Sequence, residues 1–310
     1  MPARRPELDL LAIGLLLTCC FIWGFQQVLI KQTLPEVAPV FQAALRLMGA
    51  TLCLLLWCRW RGISLWQRDG SGPSGLLAAL LFAFEFACIY LGLRDTSASR
   101  LTIFLYTAPF WVALLLPMRV ASERLHWQQW AGLGLAFVAV GYALQDGVLG
   151  VASVEGTWPM WVGDVLALGA GALWGLTTVV IRSSRLVGVS AEKLLYYQVA
   201  VSAFVLPFVS LQMGEVWVFD WSNFALFSIV VQTVAGAFAS YLVWMWLLGH
   251  YPATKLSVFV FLTPVFAMVM GAWWLNEPVT QGALVALVGV ALGIVLVNKK
   301  PTVQPTLSSE

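Results

Sequence analysis

Apolar residues occur in blocks of about 20 along nearly the whole chain, and polar residues are confined to short gaps rich in proline, glycine and charge. A bilayer core about 30 Å thick needs roughly 20 apolar residues per helix. The pattern therefore predicts ten membrane-spanning helices, over 9–30, 37–58, 74–93, 97–119, 127–146, 160–182, 191–212, 223–248, 254–275 and 281–297. Thr33-Leu34-Pro35-Glu36, Arg68-Asp69-Gly70-Ser71-Gly72-Pro73, Asp146-Gly147 and Asn276-Glu277-Pro278 mark some of the breaks. The blocks are long helical runs, not ten-residue alternating strands, which excludes a transmembrane β-barrel.

Composition sharpens this into an all-α integral membrane protein. Of 310 residues, 60% are hydrophobic and 10% charged, against about 25% charged in ordinary globular domains. The net charge of +2 comes without a continuous basic stripe, which excludes a nucleic-acid partner. Cys19, Cys20, Cys53, Cys58 and Cys88 fall in or beside apolar segments with no C-x-x-C pair, so they read as small buried hydrophobes and not as disulfides or metal ligands. No phosphate-binding G-x-x-x-x-G-K-[ST] loop, no H-E-x-x-H and no adjacent aspartates occur. The chain is thus expected to be no enzyme, to hydrolyse no ATP and to carry no cofactor or metal. Arg4-Arg5 followed by a long apolar run reads as a retained first span.

Lys and Arg set the orientation. With the N-terminus inside, Arg4, Arg5, Arg59, Arg61, Arg68, Arg119, Arg124, Arg182, Arg185, Lys193, Lys255, Lys299 and Lys300 fall on the inner side. Only Lys31, Arg94 and Arg100 fall outside, and Arg46 lies within the second span, which accounts for all 17. Both termini are expected to be cytoplasmic.

Two motifs recur. Trp23-Gly24-Phe25-Gln26-Gln27-Val28-Leu29-Ile30-Lys31 in the first span matches Trp174-Gly175-Leu176-Thr177-Thr178-Val179-Val180-Ile181-Arg182 in the sixth. Ala98-Ser99-Arg100-Leu101-Thr102 with Pro109 matches Ala253-Thr254-Lys255-Leu256-Ser257 with Pro264, and Glu123 and Glu277 follow. Each repeat holds five spans, an odd number, so the second copy enters the membrane inverted. The expected halves are 1–150 and 151–298, followed by a polar cytoplasmic tail at 299–310. Such architecture places a solute site near the midplane, between the halves.

These ten spans, the Trp-Gly start of each half, the prolines of spans four and nine and the acid after them resemble the EamA-type drug/metabolite transporter superfamily over about residues 10–298. Within it the aromatic-rich spans are most similar to the bacterial aromatic amino-acid exporters of the YddG type. The resemblance implies a ten-helix basket in which spans one, three, four, six, eight and nine surround a central cavity, with five and ten to one side. It also implies export, in a bacterial inner membrane.

Charges inside a membrane are costly and mark pairs or pathways. Arg46 and Glu85 lie clearly mid-span, and two readings are open: a mutual ion pair, or a cavity-facing Glu85 that takes a substrate ammonium or a proton, with Arg46 able to hold a carboxylate. Gln26 and Gln27 match Thr177 and Thr178 in the repeat, and with Gln198 and Gln232 they are either cavity donors or interhelical glue. Phe82, Phe86 and Tyr90 share part of a helical face with Glu85. Tyr106 and Trp174 join them, and Ser240, Tyr241 and Trp244 occupy the matching stretch of span eight. Such a wall suits flat amphipathic solutes through edge-to-face and cation–π contacts. Trp57, Trp60, Trp66, Trp127, Trp217 and Trp221 read as interfacial anchors instead.

Pro109 and Pro264 interrupt their spans symmetrically and are candidate gating hinges. Gly171 to Gly175 and Gly289 to Gly293 have the G-x-x-x-G spacing of close helix contact, within the chain or in a homodimer. The expected activity is alternating-access export of neutral amino acids or similar amphipathic metabolites, with lipid and a small-molecule solute as partners. The alternatives are an organic-anion or phosphometabolite exchanger, which would want several cavity cations, and a non-transport membrane subunit.

Overall fold

The computed structural model describes residues 8–119, 157–251 and 262–298, with scattered positions in 127–142 and at 256 and 260. Glu123, Arg124, His126, Ala253, Thr254, Lys255, Ser257, the boundary at 150/151 and the tail at 299–310 lie outside the described residues. The described residues form helices joined by short loops: α1 (Leu10–Thr33), α2 (Pro39–Arg61), α3 (Gly72–Asp95), α4 (Ala98–Leu105), α5 (Ala108–Leu115), α6 (Met160–Ser183), α7 (Ala191–Gln212), α8 (Asn223–Val231), α9 (Ser240–His250), α10 (Leu262–Trp274) and α11 (Gln281–Asn298). Positions 127–142 are helical wherever described, within the stretch expected to hold the fifth span. Among the described residues seven segments are long and apolar enough to cross a membrane, counting Ala98–Met118 and Asn223–His250 as single spans, and Leu262–Trp274 and Gln281–Gly293 are shorter apolar helices.

Local chemistry sets the ends. Asp9 Oδ1 accepts from the Ala12 N–H at 2.9 Å, and Ser97, Ser190 and Ser222 cap α4, α7 and α8 in the same way. Gly62, at φ +65°, terminates α2 in the left-handed conformation. Pro109 stands in the first turn of α5, where its missing N–H costs nothing, so span four breaks at Tyr106 and Thr107. Pro264 is buried within described α10. Span eight changes to a π-helix over Gln232–Ala239 between α8 and α9, a widened turn that frequently accompanies function.

Contacts between loops fix the directions. At the Leu10 end, Asp9 meets Tyr251 and Lys193 meets Asp69. At the Thr33 end, Glu36 meets Ser222, Glu215 meets the first turn of α2 and Asp164 meets Thr96. α1 thus starts at one face and α6 at the other, and the halves are inverted. They also interlock: α1 packs on α10 of the second half, while α6 packs on α3, α4 and α5 of the first. Gly24 lies against Thr263, Phe266 and Ala267, and Gly175 against Ala108, Trp111 and Val112; each member of the first trio follows its counterpart by 155 residues.

Glycine spacing serves packing inside the chain. A Cβ on Gly171 would fall 2.8 Å from Leu105 O and from Thr107 Oγ1. Gly289 lies directly against Ala139 of the fifth span, so this glycine of the tenth span is used within the chain and is not free for a dimer.

Candidate functional site

Between the halves lies a cavity of about 1430 Å³ that runs from mid-membrane to the Leu10 end. Leu11 and Leu15, Arg61, Ile181 and Arg182, Leu186 to Glu192, Trp246 and Leu248 to His250 form its mouth. Deeper, Trp23, Gln26, Gln27, Arg46, Phe82, Glu85, Phe86, Tyr106, Trp174, Thr177, Thr178, Gln198, Tyr241 and Trp244 form the chamber. Among the described residues no lining side chain lies past Gln27 on α1 or Ile89 on α3, so the Thr33 end is sealed. α2 and α7 also contribute lining residues, which adds two helices to the six-span wall that the family resemblance implied.

The chamber wall is aromatic. Trp23 meets Trp244 edge to face at 5.5 Å and Tyr241 at 6.2 Å. Phe82 and Phe86 lie 4.7 Å apart, both facing the Tyr241 ring, and Tyr106 stands perpendicular to Trp174 at 5.2 Å. Trp23 Nε1 donates to Ser240 Oγ at 2.7 Å, which ties α1 to α9 and fixes the indole face toward the cavity.

Arg46 and Glu85 both line the chamber, and among the described residues no ion pair within 4 Å joins them, so of the two open readings the geometry favours the cavity-facing Glu85 over the mutual bridge. Arg46 donates to Tyr90 Oη at 3.3 Å and to Tyr241 Oη at 2.8 Å, and its guanidinium stands 5.0 Å from the Phe86 ring centre and 5.6 Å from that of Tyr241. Glu85 is 5% exposed, and its Oε2 is buried without a hydrogen-bond partner. A buried carboxylate oxygen without a donor is costly, and such groups concentrate at functional sites.

Three predicted lining residues stand behind the wall. Tyr90 is fully buried and donates to Gln232 Oε1 at 2.8 Å; Gln232 Nε2 in turn donates to Ser228 Oγ at 2.8 Å, which Thr33 also reaches at 2.7 Å. Ser240, 2% exposed, accepts from Trp23. These side chains position Arg46 and Trp23 and do not face the cavity. Gln26, Glu85, Phe82, Phe86, Tyr106, Trp174, Thr177, Tyr241 and Trp244 are brought together on the cavity. Trp57, expected to be an anchor only, also lines it, and Arg61 lies over its ring at 5.5 Å. Trp60, Trp66 and Trp127 are 74–76% exposed, as anchors should be. Trp217, Phe219 and Trp221 instead gather on Phe41.

The seal at the Thr33 end is polar and spans both halves. Arg100 Nη2 pairs with Asp164 Oδ2 at 2.6 Å and Thr96 Oγ1 donates to Asp164 Oδ1 at 2.7 Å. Glu277 accepts from Ala98 N at 2.7 Å and Ser99 Oγ at 2.8 Å. Lys31 Nζ donates to Leu93 O at 3.1 Å and to Thr96 O. Arg100 and Asp164 are buried, whereas the charge pattern counts Arg100 with the outer-side cations Lys31 and Arg94 and gives it no partner. The spacing of Arg100 in the repeated Ala-Ser-Arg motif was the available signal, but nothing local in the sequence marks Asp164 as its partner.

The EamA-like transporter family model matches residues 10–144 and 161–299. An uncharacterized transporter of Archaeoglobus fulgidus is 27% identical over 294 residues, covering 90% of this chain and 95% of that protein. The S-adenosylmethionine/S-adenosylhomocysteine transporter of Chlamydia trachomatis serovar D is 27% identical, over 94% of this chain and 90% of its own. A probable amino-acid metabolite efflux pump of Escherichia coli K12 is 24% identical, over 88% and 91%. A solved crystal structure superposes with a TM-score of 0.66 at 16% identity, over 91% of this chain and 94% of its own, and so shares the fold.

Proposed function

The chain belongs to the EamA-like transporter family and is a multi-pass membrane transporter; from that premise we propose that it exports aromatic and other neutral amino acids, or similar amphipathic metabolites, by alternating access. The observation that carries this reading is a single buried carboxylate, Glu85, inside a chamber walled by Trp23, Phe82, Phe86, Tyr106, Trp174, Tyr241 and Trp244. The rings supply face and edge contacts for a flat side chain. Glu85 supplies an acceptor for an ammonium group or for a proton moving the other way. Gln26, Thr177 and Gln198 offer further hydrogen bonds from both halves. The naming of one relative as an amino-acid metabolite efflux pump supports the solute class.

The excess of Lys and Arg at the Leu10 end supports a cytoplasmic mouth, so the conformation is inward-open, with both termini cytoplasmic in a bacterial inner membrane. Loading from the cytoplasm is followed by closure of the mouth and opening of the Thr33 end, with the turn before Pro109 and the helix at Pro264 as hinges. Arg61 and Arg182 at the mouth are the observation that favours the alternative, an organic-anion exchanger. Against it, Glu192 also lines the mouth, and the chamber holds one cation, Arg46, among its described residues.

The test is uptake of radiolabelled aromatic and aliphatic amino acids, S-adenosylmethionine and a phosphorylated sugar into proteoliposomes at several pH gradients, for the wild type and Glu85→Gln. Amino-acid flux that loses its gradient dependence in Glu85→Gln is the expected result for proton exchange. Flux that persists unchanged makes the protein a uniporter. Flux of the phosphorylated sugar alone overturns the amino-acid reading.

A further inference from the structure

The seal at the Thr33 end shows how one mouth is shut, and the repeat shows what must shut the other. Lys31 stands in the last turn of α1 and donates to the carbonyls of Leu93 and Thr96, where α3 ends at Asp95. The C-terminal carbonyls of a helix lack intrahelical partners and carry the negative end of its dipole, so a cation seats there favourably.

Each part of this latch has a counterpart in the second half. Arg182 follows Trp174 by eight residues, as Lys31 follows Trp23, and it too is the basic residue of its helix's last turn. α9 ends at His250, 155 residues after the end of α3 at Asp95. The capping bonds coincide as well: Thr96 N–H to Gly92 O at 2.9 Å, and Tyr251 N–H to Leu247 O at 2.8 Å. The counterparts of the Leu93 and Thr96 carbonyls are therefore those of Leu248 and Tyr251. Arg182 and Leu248 both line the open mouth, while Lys31 and Leu93 line no part of the cavity.

We propose that Arg182 is the latch of the Leu10-end mouth, seating on the Leu248 and Tyr251 carbonyls at the end of α9 when the Thr33 end opens. The proposal rests on the alternating-access reading. It makes Arg182 a positioning residue that stabilises the outward-open state, and Lys31 its opposite number for the inward-open state. Because the two latches belong to inverted copies, each is made where the other is broken, and the difference between them biases the resting conformation.

The test measures distances between nitroxides carried on unnatural residues at positions 187 and 249 of the full chain in liposomes. Both positions line the mouth; Val187 is 52% exposed and a side chain at Gly249 meets nothing within 4 Å. Lys31→Ala is expected to raise a short, closed-mouth distance. Adding Arg182→Ala should lower that population about tenfold, the change that one charge-assisted hydrogen bond makes in a two-state balance, and Arg182→Lys should retain most of it. A short distance that survives Arg182→Ala, or that never arises in Lys31→Ala, overturns the proposal. The distances need no solute, so the expected pattern without amino-acid flux sinks the substrate reading alone, and flux with an unmoved distance sinks the latch alone.

Discussion

Gly24 and Gly175 occupy one position in two oppositely directed helices, each against the backbone of a helix from the other half. A Cβ on Gly24 would stand 2.8 Å from Ala267 N and 3.0 Å from Thr263 O; one on Gly175 would stand 2.5 Å from Trp111 Cβ and 3.1 Å from Ala108 O. Backbone cannot swing aside as a side-chain tip can, so the helices themselves must separate. Gly24→Ala and Gly175→Ala should each cost about 1–3 kcal/mol, read as earlier thermal unfolding in detergent. Gly14→Ala, which meets nothing within 4 Å, should be neutral or slightly stabilising, since Ala is the better helix former.

The Arg46 clamp separates support from contact. Tyr90 and Tyr241 both accept from the guanidinium, yet only Tyr241 lines the cavity. Tyr90→Phe removes a bond to a charged group, worth about 1.5–3 kcal/mol, and frees Gln232 Oε1. Thermal stability should fall while solute affinity, measured by tryptophan quenching, stays within about twofold. Tyr241→Phe should lower both. Equal affinity losses in the two variants would show that Tyr90 reaches the solute.

The hydropathy pattern carried most of the fold, because a bilayer demands uninterrupted apolar helices and punishes polar residues outside the gaps. The inverted repeat was legible at Trp23-Gly24 and Trp174-Gly175, where packing requires glycine and the cavity requires the ring. Legibility ended at side-chain direction. Period and spacing put Glu85, Phe86 and Tyr90 on neighbouring faces, but which of them sees the chamber depends on crossing angles that no local pattern encodes. The π-helix at Gln232–Ala239 rotates this stretch further, so Gln232 and Ser240 turn away from the cavity while Phe238 and Tyr241 reach it. Trp23 reads in the sequence as a repeat marker alone, because the partner that turns its ring to the cavity, Ser240, lies 217 positions away.

Asp164 and Arg100 form the buried pair of the Thr33-end seal, side chains 0% and 4% exposed. Arg100→Ala leaves a carboxylate buried with Thr96 as its described hydroxyl partner, a change that costs about 3–5 kcal/mol. The double variant Arg100→Met with Asp164→Leu removes both charges and should cost less than either single substitution. A double-mutant cycle in chemical denaturation measures this coupling. Additive losses would mean that the pair contributes no mutual stabilisation.

At the opposite end, Lys193 Nζ meets Asp69 Oδ2 at 2.8 Å and the Gln67 carbonyl at 2.6 Å, joining the loop between α2 and α3 to the first turn of α7. Lys193 and then Ser71 hold the Asp69 carboxyl well below the usual carboxylate range. A depressed value in the folded chain means that the contribution is fully present above the unfolded pKa, about 3.9, and is lost only as pH falls through the lower folded value. Between pH 5 and 8 the bridge should therefore add no slope to stability. Lys193→Met should lower thermal stability by a constant amount across that range, and the deficit should shrink only in stronger acid. A deficit that changed with pH between 5 and 8 would assign the effect to another group.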